Sequence, residues 1–395
     1  MSTESQFFLA HLGQTSPFPF LIEVERAEGA YIYDKQGKAY LDMIAGVAVN
    51  NIGHRHPKVV AALEAQLQKH LHVMVYGEFI QDAQQALARE LLSVLPAQLD
   101  GVYAVNSGTE AIEAALKLAK RVTGRTELVA FKGSYHGSTH GAMSVSANEV
   151  KKIAFRPLLP DVRILPHNEM AALTQITKRT AGVIIETIQG DAGVRRPSQA
   201  FLQALRARCT EVGALLIFDE IQCGMGRTGS MFAFEQFGVI PDVLTLGKAL
   251  GGGMPIGALV AAQKHLQEFT HAPMLGHITT FGGHPMVCAA AAATIEVLRT
   301  EIDWAVLEKR AAAFAEQIAA HRAVLAHRRV GAMFSFDLNS AAQVEKVVQY
   351  CLEHGLLTFW FLSHPYSFRL SPPLNLLQAD WDLAAQLIVS ALDTL

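Results

Sequence analysis

Ala214-Leu215-Leu216-Ile217-Phe218 runs directly into Asp219-Glu220-Ile221-Gln222, an unbroken apolar stretch that ends on two acids. So short a run without alternation reads as a strand buried on both faces of a sheet, and it is far too short to span a bilayer. An acid at the end of such a strand is costly to bury unless a cation or a hydrogen-bond donor meets it. Asp219 is therefore either a capping or surface acid, or the partner of a cationic group at the carboxyl edge of the sheet.

Working outward, similar runs stand at 101–105, 128–131, 182–185 and 243–246, with helical patterns between them such as 109–121 and 198–211. This alternation predicts an α/β architecture, a mostly parallel central sheet flanked by helices on both faces. The chain ends read differently. Before about residue 44, a turn-rich stretch around Asp34 and Gly37 predicts a hairpin. After about residue 294 come a long helix, a strand near 333–338, a helix near 341–354, strands within 356–370 and a last helix after 378. The expected division is a large domain over 45–294 and a small α+β domain built from 1–44 and 295–395.

Composition narrows the function. The chain has 395 residues, half of them apolar, and a formal charge of -3. Neither a basic excess for nucleic acid nor an acidic tail is present. The start, MSTESQFFLAHL, lacks the cationic region and apolar run of a signal peptide, so no membrane partner is expected. Cys209, Cys223, Cys288 and Cys351 lie far apart without a CxxC pair, which predicts neither a disulfide framework nor a zinc site. A cytoplasmic enzyme with reduced thiols is the simplest expectation.

In open α/β sheets, ligands bind beyond the carboxyl ends of the strands. Asn106-Ser107-Gly108-Thr109-Glu110-Ala111 follows the first run and opens a helix, either as a phosphate-binding turn or as a plain N-cap. Asp219 follows the central run. Gly247-Lys248-Ala249-Leu250-Gly251-Gly252-Gly253 follows the run at 243–246. A lysine there is a solvated residue before a flexible turn, or a desolvated amine able to form a Schiff base. Gly224-Met225-Gly226-Arg227-Thr228-Gly229 matches GxGxxG literally, but it does not start at a strand end or open a helix, so it is not read as a dinucleotide site. His54 with His56, and His136 with His140, lack a third ligand at metal spacing and are read as structural; no metal is expected. A phosphate cradle, an acid for a pyridinium and a Schiff-base lysine together match the needs of pyridoxal phosphate.

The same segments resemble the class III aminotransferases, the family of acetylornithine, ornithine and 4-aminobutyrate aminotransferases, from Gly29-Ala30-Tyr31 to Pro372-Pro373-Leu374. Gly53-His54-Arg55-His56-Pro57 resembles its N-terminal element and Asn106–Ala111 its phosphate turn. The resemblance implies a fold type I transferase, a homodimer with active sites at the interface, and pyridoxal 5'-phosphate as cofactor. It implies Ser107, Gly108 and Thr109 on the phosphate, Tyr135 against the ring, Asp219 on the pyridine nitrogen, Gln222 near the ring oxygen and Lys248 as the covalent tether. Glu186 falls in the segment Glu186-Thr187-Ile188-Gln189-Gly190-Asp191, which resembles EPxQGE. Thr280, in Thr279-Thr280-Phe281-Gly282-Gly283, would reach the neighbouring subunit's phosphate, and Arg369 would hold a substrate α-carboxylate.

Three departures bear on the substrate: Ser138 where the relatives have Arg, Asp191 where they have Glu, and Val47 where ornithine aminotransferases have Tyr. The implied reaction is ping-pong transfer from an amine or (ω-)amino acid to 2-oxoglutarate or pyruvate. Alternatives on the same cofactor are an aminomutase, a racemase or a decarboxylase, none of which needs an external acceptor. A catalytically silent cofactor-binding regulator would be expected to lack Lys248 or Asp219, and both are present.

Overall fold

The computed structural model describes residues 2–395. Its first strands, β1 (Val24–Glu28), β2 (Tyr31–Asp34) and β3 (Ala39–Asp42), form an antiparallel meander. The Asp34 carboxylate shapes the β2–β3 turn by accepting from the N–H groups of Gln36 and Lys38 at 3.0 and 2.8 Å. The hairpin expected around Asp34 and Gly37 is thus present, with β1 added to its edge.

The apolar runs build a seven-stranded sheet from β4 (Gly101–Val105), β5 (Glu127–Phe131), β6 (Val162–Leu165), β7 (Thr180–Glu186), β8 (Leu215–Asp219), β9 (Val243–Leu246) and β10 (Gly257–Ala261). Their order is β4-β10-β9-β8-β7-β5-β6, and β10 alone runs antiparallel to its neighbours. Strands β5, β7, β8, β9 and β10 are buried throughout, as runs without alternation require. The helix Gly108–Thr123 buries Ala111, Ile112, Ala115, Leu118 and Ala119 against this sheet, a spacing that matches the helical period. Ser107 caps its start.

The C-terminal strands are β11 (Ala326–Val330), β12 (Met333–Asp337), β13 (Leu356–Leu357), β14 (Phe359–Trp360) and β15 (Ser367–Leu370). Four of them form a sheet in the order β11-β12-β15-β14, while β13 pairs in parallel with β3. The two chain ends therefore share one sheet. The helix Pro285–Thr300 runs unbroken through residue 294, so no break in the chain marks the expected change of unit there.

The GxGxxG segment has a structural use. It lies in turns and opens no helix. Within it, the fully buried Arg227 guanidinium donates to the carbonyls of Ala332 at 3.0 Å and Pro372 at 2.6 Å, and to the side chain of Asn51. It ties the central sheet to the stretch that follows β15.

Candidate active site

Neighbouring parallel strands bring three residues level at their carboxyl ends: Glu186 on β7, Asp219 on β8 and Thr245 on β9. Both acids are buried. Asp219 accepts from the Ile221 N–H at 3.0 Å, and its other oxygen is 2.7 Å from His136 Nδ1. His136, read from the sequence as structural, is set by the fold directly against Asp219. It is 2% exposed and its Nε2 has no partner. Its signal was its place beside Tyr135 in the Ser134-Tyr135-His136-Gly137 element; contact with Asp219 is a long-range feature that no local pattern carries. Of the other three histidines read as structural, two find acids, His54 with Asp42 at 2.9 Å and His56 with Glu301 at 3.3 Å, and His140 is exposed.

Glu186 accepts from the N–H groups of Tyr135 at 2.8 Å and Gly190 at 3.0 Å. Burial pushes its carboxyl up to about 7, against the pull of His136 and with a push from Asp219. Lys248 follows β9 in the left-handed region, with φ 46°. A non-glycine residue there is strained, and such strain gathers at functional positions. Burial lowers the Lys248 pKa, opposed by the charges of Asp219 and Glu186 and aided by Arg369. The crevice therefore favours a free amine more than water does.

The turn at Ser107-Gly108-Thr109 closes the other side. A Cβ on Gly108 would lie 2.8 Å from the Ile221 side chain, and one on Gly247 would lie 3.1 Å from Gly108 Cα. Only glycine lets the loops after β4, β8 and β9 meet this closely. Ser107 Oγ accepts from Glu110 N–H at 3.3 Å, so the N-cap role holds. The N–H groups of Gly108 and Thr109 have no acceptor among the described residues, and they point from the positive end of a sixteen-residue helix. Thr109 Oγ1 lies 2.8 Å from Thr139 Oγ1. Gln222 packs on Gly190, where a Cβ would collide with its amide.

The remaining residues line the mouth or stand apart. Tyr135 is half-buried, and its hydroxyl lies 3.2 Å from Ser138 Oγ. Arg369 is buried on β15. Asp191 is buried and accepts from Leu362 N–H at 3.0 Å and Ser363 Oγ at 2.6 Å. Val47 has φ 65° in a turn beside the C-terminal element, where Ser371 donates to the carbonyls of Met43 and Ile44. Thr280 is exposed on the 270–283 loop and makes no side-chain hydrogen bond among the described residues.

One acid behind the site stabilises its frame. Glu220 is fully buried and accepts from Ala233 N–H at 2.7 Å and Phe234 N–H at 2.6 Å. Burial pushes its carboxyl up to about 8, while the N–H bonds from Ala233 and Phe234 pull it down. The unfolded chain releases this proton near the ordinary 4.5, and the folded chain near 8. Between those values the unfolded state holds fewer protons, so this group's contribution to stability falls as pH rises and levels off above the folded pKa. Glu220→Gln is expected to remove that slope: thermal melts of variant and parent should converge or cross between about pH 5 and about pH 8. Parallel melting curves over that range would show that Glu220 stays charged.

These residues fit pyridoxal phosphate. Free N–H groups at a helix start suit its phosphate, a carboxylate held by His136 suits a protonated pyridine nitrogen, and a desolvated lysine suits its aldehyde carbon. Fold and site together define a pyridoxal-phosphate-dependent aminotransferase of fold type I. Residues 13–392 match the family model "Aminotransferase class-III". The chain is 41% identical to an acetylornithine aminotransferase of Methanopyrus kandleri over 74% of its length and 73% of that protein. It is 38% identical to a putrescine aminotransferase of Pectobacterium atrosepticum over 87% of its length and 76% of that protein. It also superposes on the ornithine aminotransferase of Toxoplasma gondii ME49 with a TM-score of 0.91, at 27% identity, covering 100% of this chain and 96% of that one. The protein belongs to the class III aminotransferases. It is a transaminase with pyridoxal phosphate as cofactor and amino acids and 2-oxo acids as substrates.

Proposed function

We propose that this enzyme moves an amino group from an amine or amino-acid donor to 2-oxoglutarate or pyruvate, in two half-reactions at one site. The observation that carries the reading is Lys248: strained, desolvated, and within the field of Asp219 and Glu186. When bound, pyridoxal phosphate supplies an electrophilic carbon for amines and a sink for electrons. Ser107, Gly108 and Thr109 would hold its phosphate, Tyr135 would stand beside its ring, and Gln222 and Glu186 would border its oxygen. Asp219 would favour a protonated pyridine nitrogen, with His136 holding Asp219 in place. Lys248 would tether the cofactor, and its amine, once freed, would serve as the base and acid that moves the substrate's proton. The general test is a panel of amines and amino acids against both acceptors.

The homodimer belongs to the same proposal. Ile80 is 88% exposed and Met274 76% exposed, with Phe79, Leu275, Ile278 and Phe281 also exposed on the same two loop segments. These loops border a cavity of about 690 Å³. Apolar exposure on this scale marks an interface, and the proposed occupant is a second copy. Thr280 stands in the same loop, free to reach the partner's phosphate. Sedimentation should give a dimer at assay concentration; a fully active monomer would refute the shared site. We further take 45–294 as the cofactor-binding unit and the two ends as the smaller unit, supported by the β3–β13 pairing, with the changeover inside the helix Pro285–Thr300. A cytoplasmic location completes the reading, supported by four cysteines that are all free and buried.

Ser138 bears on donor choice. It is exposed at the mouth and offers a single neutral hydroxyl where the relatives' Arg would grip a distal carboxylate bidentately. The difference is on the order of 2 kcal/mol, about 30-fold in affinity. N-acetylornithine, ornithine and 4-aminobutyrate, reacting through their ω-amines, are therefore expected to be poor donors, and Ser138→Arg should raise kcat/KM for that ω-amine reaction. A wild-type enzyme that already prefers N-acetylornithine, or a variant that gains nothing, would refute the assignment of position 138.

A further inference from the structure

Arg369 is 6% exposed on β15, and its Nε is buried without a partner. Among the described residues its guanidinium makes no hydrogen bond and no ion pair. It lies 5.5 and 5.6 Å from the ring centres of Phe359 and Phe361. Ring faces attract a cation but accept none of its five N–H bonds in the manner of a carboxylate. A buried guanidinium left in this state is unfavourable, so the site is built to receive an anion.

Asp191 is the acid whose charge acts on Arg369. Both of its oxygens are engaged elsewhere. Oδ1 accepts from the Leu362 N–H and Oδ2 from Ser363 Oγ, and Ser363 Oγ in turn lies 3.2 Å from Asn148 Nδ2. Asn148 caps the short helix Glu149–Lys152, so one 3%-exposed carboxylate joins three segments of the chain. Turning it toward Arg369 would break both bonds and strand the Leu362 N–H. On the same short helix, Lys151 lies within the field of both Asp191 and Arg369 and adds positive charge to this side of the mouth.

We propose that Arg369 stays open in both half-reactions, so that the amino donor is itself an α-amino acid docking its carboxylate there, as the 2-oxo acid does. The inference rests on the aminotransferase reading and sharpens it. With Ser138 at the mouth, the donor's distal end is uncharged or cationic. The chemistry balances. The donor's C–N bond breaks, water adds its oxygen to that carbon, and a 2-oxo acid leaves. In the second half-reaction the acceptor gains the nitrogen and returns the water, so no outside oxidant or reductant is required.

The test compares matched donors on the holoenzyme, without acceptor, by following the cofactor's absorbance. L-methionine is set against 3-(methylthio)propylamine, and L-lysine against cadaverine. Each amino acid should react roughly 10- to 100-fold more efficiently than its amine, and Arg369→Gln should level the pairs. In a second arm, calorimetry measures 4-(methylthio)butanoate, which has no amine, against its primary amide. The carboxylate should bind the parent and not Arg369→Gln, and the amide should bind neither. Amines reacting as well as their amino acids, or carboxylate binding that survives in Arg369→Gln, would overturn the proposal. If no donor reacts at all, the aminotransferase reading fails, while carboxylate binding lost in Arg369→Gln still supports the assignment of Arg369.

Discussion

Lys248→Ala is expected to lose turnover by a factor on the order of 10⁵ or more, and to leave no cofactor that borohydride can fix to the protein. No neighbouring amine can take its place. Lys152 donates to the carbonyls of Ser144 and Ser146 and pairs with Glu149, so its ammonium is committed to the frame. Lys151 is exposed on the same short helix. Burial lowers the pKa of the Lys248 amine, and its position after β9 sets it at the same sheet edge as Asp219 and Glu186. Cofactor that remains covalently attached in the variant would assign the tether elsewhere and remove the mechanism with it.

Asp219→Asn is the second large effect. Asp219 spends one oxygen on the Ile221 N–H and faces His136 Nδ1 with the other. The neutral amide can keep the Ile221 contact, so the fold should persist. It cannot favour a protonated pyridine nitrogen by charge, and the ring becomes a poorer electron sink. The expected loss is roughly 10³-fold in kcat, with a melting temperature within a few degrees of the parent. A rate within about tenfold of the parent would make Asp219 a structural acid, since a charge acting only through the frame moves stability rather than chemistry.

The sequence made the central sheet legible because β5, β7, β8 and β9 are apolar at successive positions and each is followed by a polar loop. It hid β6 and β10. β6 is half-exposed at a sheet edge and carries Arg163, which pairs with Glu127. β10 begins at Gly257, close behind Gly251-Gly252-Gly253, so its start merges with a turn signal. The Lys248, Asp219 and Ser107-Gly108-Thr109 constellation was readable because each member directly follows a strand. The His136–Asp219 contact spans 83 residues, the Asp191–Ser363 contact 172 and the Arg227–Pro372 contact 145. Such pairings are decided by tertiary packing, and local spacing carries no trace of them.

The central claim is that Lys248 holds the cofactor at the carboxyl edge of this sheet. Borohydride reduction of the yellow holoenzyme, followed by digestion and peptide mapping, tests it directly. A single modified peptide is expected, spanning Val243-Leu244-Thr245-Leu246-Gly247-Lys248, with the pyridoxyl group on Lys248. A pyridoxyl group on Lys151, Lys152 or any other lysine, with Lys248 unmodified, would contradict it.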